Sequence, residues 1–179
     1  MNKDHQHVVL FSGGIGSWGA AKKLVNQIGT KNVHLLFTDT LIEDEDLYRF
    51  INDAAQNIGV PLTTIADGRT PWQVFQDERF LGNTRADPCS KILKRKLARK
   101  WIDQLAEKSP KGVTVYIGID WTEEPRYLKA KKFWQPHELK APLCEETITK
   151  SEIFTWAKTE KLELPRLYKL GFAHNNCGG

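Results

Sequence analysis

The sequence predicts an α/β fold built on a doubly wound, mainly parallel sheet with helices on both faces, and three observations carry that prediction. First, the short apolar runs "HVVLF", "VHLLFTDT", "VPLTTIAD" and "GVTVYIGID" are separated by segments whose apolar residues recur at helical spacing. Second, each run is nearly continuous in apolar or β-branched residues, as strands buried on both faces require. Third, the stretches between runs are long enough for helical crossovers, and strand–helix–strand units in this tempo build parallel sheets with right-handed connections.

The elements follow in order. Residues 8–11 form the first strand, Gly13 and Gly14 end it, and a helix runs from Ser17 with Leu24, Val25 and Ile28 on one side. Residues 33–40 are the second strand. Residues 44–58 are a helix with Leu47, Phe50, Ile51, Ala54 and Ile58 at intervals of three and four, and Gly59 is placed to stop it. Residues 60–67 form a third strand, 71–80 a short helix, 92–105 a longer helix and 112–120 a fourth strand. The next stretch, "WTEEPRYLKAKKFWQPHELKAPL", is polar and punctuated by proline, and reads as a loop or flap. Residues 150–161 are helical again, opened by a capping box of Thr149 and Glu152. The end of the chain is irregular. The expected organisation is one Rossmann-like domain over residues 1–179, with about five mainly parallel strands, a core over residues 6–120, and a flap and acceptor-site segment over residues 121–179.

Composition narrows the class. The 40% hydrophobic and 27% charged residues are those of a globular chain, which excludes disordered and fibrous classes. No apolar stretch is long enough to span a membrane, and "MNKDHQHVV" lacks the apolar centre of a signal peptide, so a cytoplasmic location is expected and His5 and His7 are expected in a disordered N-terminus. Three scattered cysteines exclude a secreted disulfide framework. The basic run "KILKRKLARK" reads either as a solvated helix face or as a patch facing a polyanion or a phosphorylated small molecule.

The turn "SGGIGS", residues 12–17, lies where function is expected. In open parallel sheets ligands bind beyond the carboxyl ends of the strands, where the strand order reverses. A glycine turn leading into a helix N-terminus there offers backbone N–H groups and the positive end of the helix dipole to an anion. Gly13 and Gly14 let the backbone approach phosphate, and Ser12 and Ser17 add hydroxyl donors. The competing reading is a tight bend with no ligand. The spacing matches neither a Walker A loop nor the G-x-G-x-x-G dinucleotide fingerprint.

Ser12-Gly13-Gly14-Ile15-Gly16-Ser17 resembles the SGGxDS pyrophosphate loop of the PP-loop, or N-type, ATP pyrophosphatases and of the phosphoadenosine phosphosulfate (PAPS) reductases. Other stretches fall in that family's order: "FTDT", "RADPCSKILKRK", "IGIDWTEEPR", "APL" followed by "TKSEIFTWAK", and "LPRLYKLGF" through "NCGG". The resemblance implies a nucleotide α-hydrolase-like fold of the HUP type whose loop grips the pyrophosphate of ATP or the phosphate or sulfate end of PAPS. It implies that Thr38, Asp39 and Thr40, with Gly118, border ribose and adenine, and that Lys91, Lys94 and Arg126 neutralise charge. In the ATP-using members an acceptor oxygen is adenylated, pyrophosphate leaves with Mg²⁺ in support, and a nucleophile then displaces AMP. Trp121 and Trp134 are read either as packing residues or as stacking partners for a base.

The sequence departs from this pattern at Gly16, where the family carries Asp; Asp39, Asp120, Glu123 or Glu124 would then supply the carboxylate, with Asp39 as the candidate Mg²⁺ ligand. It also lacks the Glu-Cys-Gly-Leu-His type tail of true PAPS reductases. Cys89, ahead of a basic helix, and Cys177 are candidate catalytic thiols alongside Lys91 and Arg126. Alternatively, Cys89, Cys144 and Cys177 hold an iron–sulfur cluster of the [4Fe–4S] type, as in sulfur-inserting relatives. Two further functions stay open: sulfur transfer to a nucleic-acid base, and a catalytically silent nucleotide-binding module. The implied partners are an adenine nucleotide, a small-molecule or nucleic-acid acceptor, and a second copy of the chain in a homodimer; no membrane is among them.

Overall fold

The computed structural model describes residues 5–81 and 87–175. Five strands, β1 (Gln6–Leu10), β2 (Val33–Asp39), β3 (Leu62–Ala66), β4 (Val113–Tyr116) and β5 (Glu138–Lys140), form one sheet in the order β3-β2-β1-β4-β5. Every neighbouring pair is parallel; Val9 on β1 sits opposite Leu35 of β2 on one side and Tyr116 of β4 on the other. The chain travels outward from β1 to β3 and then returns past β1 to β4. The order therefore reverses between β1 and β4.

Right-handed crossovers running in opposite directions place their helices on opposite faces. On one face lie α1 (Ile15–Ile28), α2 (Glu45–Ile58), α6 (Pro142–Glu145) and α7 (Lys150–Thr159), around a core of Val9, Phe11, Trp18, Leu35, Phe50 and Leu143. On the other, α4 (Leu97–Glu107) and α5 (Glu124–Trp134) cover Val8, Leu36, Val115 and Ile117. A short α3 (Pro71–Glu78) follows β3, and α8 (Arg166–Lys169) lies near the end. Among the described residues, no helix is long and apolar enough to cross a membrane.

Most helix starts follow from sequence. The Asp44 carboxylate caps α2 by accepting from the Asp46 N–H, and Gly59 ends the helix in the left-handed region at φ 81°. Thr70 and Gln73 form a capping box ahead of α3, as Thr149 and Glu152 do ahead of α7.

The structure departs from the sequence reading in three places. The stretch after β4 is no flap: it forms a 3₁₀ turn (Trp121–Glu123), α5 and the edge strand β5, so the sheet extends to residue 140. The helix expected over residues 92–105 starts earlier, with a π-helical segment (Ser90–Lys96) continuous with α4. His5 and His7 are ordered, with the His5 Nε2 2.7 Å from Thr114 Oγ1 and the His7 Nδ1 2.9 Å from Tyr116 Oη.

Candidate functional site

A cleft of about 940 Å³ opens at the carboxyl ends of the strands, over the switch point. Its loop wall contains Ser12, Gly14, Gly16 and Ser17, between β1 and the first turn of α1. Unlike α2, α3 and α7, α1 has no side-chain cap from its N-cap residue, and unlike α2 and α7 it has no acidic residue in its first turn. Its N-terminal donors are thus left for something other than a local carboxylate or hydroxyl.

Three glycines build this wall for different reasons. Gly13 has φ 80°, and a Cβ there would fall 2.8 Å from Leu47 Cγ, so the position needs glycine for both conformation and space. Gly16 and Gly118 serve a backbone crossing. A Cβ on Gly16 would stand 2.5 Å from the Gly118 carbonyl oxygen, and one on Gly118 would stand 2.3 Å from the Gly16 carbonyl carbon. The start of α1 lies directly on the end of β4. The space where the resemblance places an aspartate side chain is therefore filled by the backbone at Gly118.

The floor of the cleft is apolar: Leu10, Leu36, Ala98, Ile117, Ile119 and Trp134 come from the sheet and from the two helices on that face. Its rim is polar and mostly cationic. Among the described residues lining it, Lys94, Arg95, Arg126, Lys129 and Lys150 outnumber the carboxylates Asp87, Asp120 and Glu123. Lys94 Nζ lies 3.4 Å from Oε1 of Glu43, whose side chain is fully buried and accepts a 2.9 Å hydrogen bond from the Thr40 hydroxyl. Arg126 is salt-bridged to Glu123 at 2.9 Å on the exposed side.

The third wall comes from the far end of the chain. The Ile15 N–H, in the first turn of α1, donates to the Tyr168 hydroxyl at 3.0 Å. Burial raises the Tyr168 pKa, against the opposing pull of that N–H, so the phenol keeps its proton at neutral pH. Lys150 Nζ donates to the Ala173 carbonyl and stands 5.3 Å from the centre of the Tyr168 ring. Asn175, 1% exposed, donates through Nδ2 to the Gly13 carbonyl at 2.9 Å. Its Oδ1 is buried without a hydrogen-bond partner.

Of the residues expected from sequence, Ser12, Gly14, Gly16, Ser17, Thr38, Thr40, Gly118, Lys94, Cys89 and Arg126 line the cleft. The Ser17 hydroxyl donates to the Gly14 carbonyl at 2.7 Å, which directs its proton within the loop. Gly13 and Ile15 shape the loop from behind, both buried. Asp39 is not among the lining residues: its Oδ1 accepts from the Leu41 N–H and the Tyr48 hydroxyl, both at 2.8 Å, so it braces the β2–α2 loop and is not placed as a Mg²⁺ ligand. Of the other candidate carboxylates, Asp120 and Glu123 line the cleft and Glu124 does not.

Lys91 is exposed and lies off the cleft, whereas Arg95 lines it. The segment that carries them, Ser90–Lys96, is π-helical.

The cysteines separate. Cys89 lines the cleft, and its thiol donates to Asp87 Oδ1 at 3.3 Å. Burial opposes ionisation of Asp87, but the Ser90 N–H and the Cys89 thiol outweigh it and hold that carboxyl below its ordinary range. Cys144 is not a lining residue; burial, then the carboxylates of Glu124, Glu145 and Asp120, push its thiol pKa up. Cys177 lies outside the described residues. Among the described residues, no three His, Cys, Asp or Glu side chains form a metal-holding group; the expected iron–sulfur cluster also needs Cys177, which lies outside them. The two tryptophans also differ: Trp134 is buried in the floor, while Trp121 is exposed and outside the cleft.

Arg95, Lys150, Tyr168 and Asn175 were not legible as site residues. Each lay in a stretch that carries the resemblance, Arg95 in "RADPCSKILKRK", Lys150 in "TKSEIFTWAK", and Tyr168 and Asn175 in "LPRLYKLGF" through "NCGG".

Comparison with known proteins bears on this geometry. The phosphoadenosine phosphosulfate reductase domain family matches residues 6–175. No curated protein sequence matches the chain. Among solved structures, the chain is similar to phosphoadenylyl-sulfate (PAPS) reductase from Candida auris in a phosphate complex, with 12% identity, a TM-score of 0.61, and coverage of 96% of this chain and 82% of that one. That likeness shares the α/β architecture, and the family match spans the loop, the cleft and the C-terminal wall. The chain belongs to the phosphoadenosine phosphosulfate reductase domain family.

Proposed function

We propose that this chain is an enzyme that binds an adenine nucleotide, ATP or PAPS, through residues 12–17 and acts by adenylation or sulfur-group transfer on an acceptor. The observation that carries the reading is the start of α1: a glycine loop at the switch point of a parallel sheet, with no cap from its own N-cap residue, facing a cationic rim. Such an N-terminus stabilises an anion through aligned N–H groups, and it does so without reorganising when charge develops on a departing phosphate. Lys94, Arg95, Arg126 and Lys150 add compensating charge. Thr38 and Gly118 border the sugar, and the base lies on the apolar floor of Leu10, Leu36, Ala98 and Ile117. Glu43 positions Lys94 from below. The structurally similar PAPS reductase from Candida auris was determined as a phosphate complex, which accords with an anion-binding role for this fold.

Gly14→Ala tests the reading without breaking the fold. Gly14 has φ −85°, and its Cβ would meet the Tyr168 hydroxyl at 3.5 Å and Ser12 Oγ at 3.7 Å, both ordinary contacts. The methyl would nevertheless stand in the space an anion must enter. Calorimetric titration should show ATP and PAPS affinity falling at least about tenfold, roughly the loss of one charge-assisted hydrogen bond. Unchanged affinity for both nucleotides would remove residues 12–17 from the site.

A further inference from the structure

Residue 175 carries information that the loop alone does not. Asn175 lines the cleft, is 1% exposed, and is tied to the loop by its Nδ2 bond to the Gly13 carbonyl. A carbonyl only accepts, so this bond fixes which way the amide faces; the reverse orientation would set two oxygens against each other. The atom left over is Oδ1, buried and without a partner. Folded chains seldom leave a buried acceptor in that state unless a ligand or water completes it.

Oδ1 can only accept. The cleft that Asn175 lines has a mostly cationic rim, so the ligand that fits it is an anion, and an anion that satisfies Oδ1 must bring its own proton. We infer that the group seated at this loop is a protonated terminal phosphate rather than a sulfate, and that Asn175 is the residue that makes the choice. This rests on the reading of residues 12–17 as an anion cradle and specifies its ligand. A terminal phosphate carries an O–H near neutral pH, whereas a sulfate monoester carries none and would set an oxygen lone pair against Oδ1. Tyr168 complements the selection: its hydroxyl accepts the Ile15 N–H and keeps its own proton for an unprotonated ligand oxygen. Tyr168 donates a hydrogen bond to the ligand, and Asn175 accepts one from it.

ADP and adenylyl sulfate form the discriminating pair, because they differ only in ending in phosphate or sulfate. Each is titrated calorimetrically onto the full chain at pH 6, 7 and 8.5. ADP should bind at least about tenfold tighter than adenylyl sulfate at pH 6, the cost of leaving one buried acceptor unpaired. That advantage should shrink as pH rises past the second phosphate ionisation, about 6 for a monoester. Charge attraction alone predicts the opposite, since deprotonated ADP is the stronger anion in a cationic cleft. The pH trend of the unaltered chain therefore tests the idea even if a variant fails to fold. Asn175→Ala should bring the two affinities to within about threefold of each other, with loss of the pH trend. Equal or tighter binding of adenylyl sulfate, or an ADP advantage that grows with pH, would overturn the role of Asn175 and leave the cradle standing. If ADP, ATP, PAPS and adenylyl sulfate all fail to bind, the cradle itself is refuted and this inference with it.

Discussion

The contact between Gly16 and Gly118 predicts that a single methyl group will separate α1 from β4. In Gly118→Ala the new Cβ would lie 2.3 Å from the Gly16 carbonyl carbon and 2.4 Å from the Ser17 nitrogen. An ordinary carbon contact needs about 3.5 Å, so the two elements must part by roughly an ångström. Both obstacles are backbone in regular or capping structure, and neither can rotate away. The backbone at Gly118 is not in the left-handed region, so alanine adds no conformational strain of its own. Overpacking of this kind costs about 1–3 kcal/mol, and with backbone on both sides about 3 kcal/mol is expected. For a chain of this size each kcal/mol moves Tm by about 2–4 °C, giving a fall of about 6–12 °C. Differential scanning calorimetry of Gly118→Ala beside Gly14→Ala provides the measurement, the latter being expected within about 2 °C of the parent because its methyl meets only ordinary contacts. Gly16→Asp should resemble Gly118→Ala, since its Cβ meets the Gly118 carbonyl at 2.5 Å before any carboxylate is considered. A Gly118→Ala protein that melts within about 2 °C of the parent would refute the reasoning.

Two further outcomes follow from the ionisable groups. Burial raises the Cys144 thiol pKa, with Glu124, Glu145 and Asp120 adding to the effect, so at pH 8 the folded chain should alkylate Cys144 with iodoacetamide at least about tenfold more slowly than the urea-unfolded chain does. Peptide mapping by mass spectrometry would read the site, and equal rates in the two states would contradict its placement. Burial lowers the pKa of His7, with help from His5 and Lys140 and against Glu138, and burial alone lowers that of His34. The unfolded chain then binds protons that the native state resists, so stability should be full above pH 6.5, the unfolded histidine value, and fall as pH drops below it. Urea midpoints at pH 7.5 and 5.5 would test this, and His34→Gln, which keeps a polar partner for Gln6, should flatten the slope.

The sheet was legible because its central strands are buried on both faces and so read as unbroken apolar runs. β5 and α5 were hidden for the opposite reason. Half of their residues are charged, and only Tyr127, Trp134 and Leu139 are buried, too few to set a period. The glycine loop over residues 12–17 was legible as a candidate site because its features are local: glycines, serines and a helix start within six consecutive residues. Arg95 lay inside the basic run read as a solvated face or a phosphate-facing patch, and nothing in that run set it apart from its basic neighbours. Tyr168 and Asn175 were missed because their roles arise from contacts 153 and 162 residues away. His5 and His7 belong to the same class, their partners lying on β4, 109 residues along.

That long-range wall bears on the missing acid at position 16. Where the resemblance expects an aspartate, this chain brings the first turn of α1 onto the end of β4, and the only carboxylates lining the cleft among the described residues are Asp87, Asp120 and Glu123. Each of these is already engaged: Asp87 with Ser90 and Cys89, Asp120 with Thr122, Glu123 with Arg126. A fourth negative charge beside the helix N-terminus would weaken the anion cradle, whose attraction depends on that terminus being positive. The loop gains order without a carboxylate, through the Tyr168 hydroxyl on Ile15 and the Asn175 amide on Gly13. Both contacts are neutral, so they hold the loop in shape and leave its positive potential intact. Anchoring an anion site through uncharged groups from the other end of the chain ties loop geometry to the seating of the C-terminal segment, and the same two side chains that fix the backbone also meet the ligand.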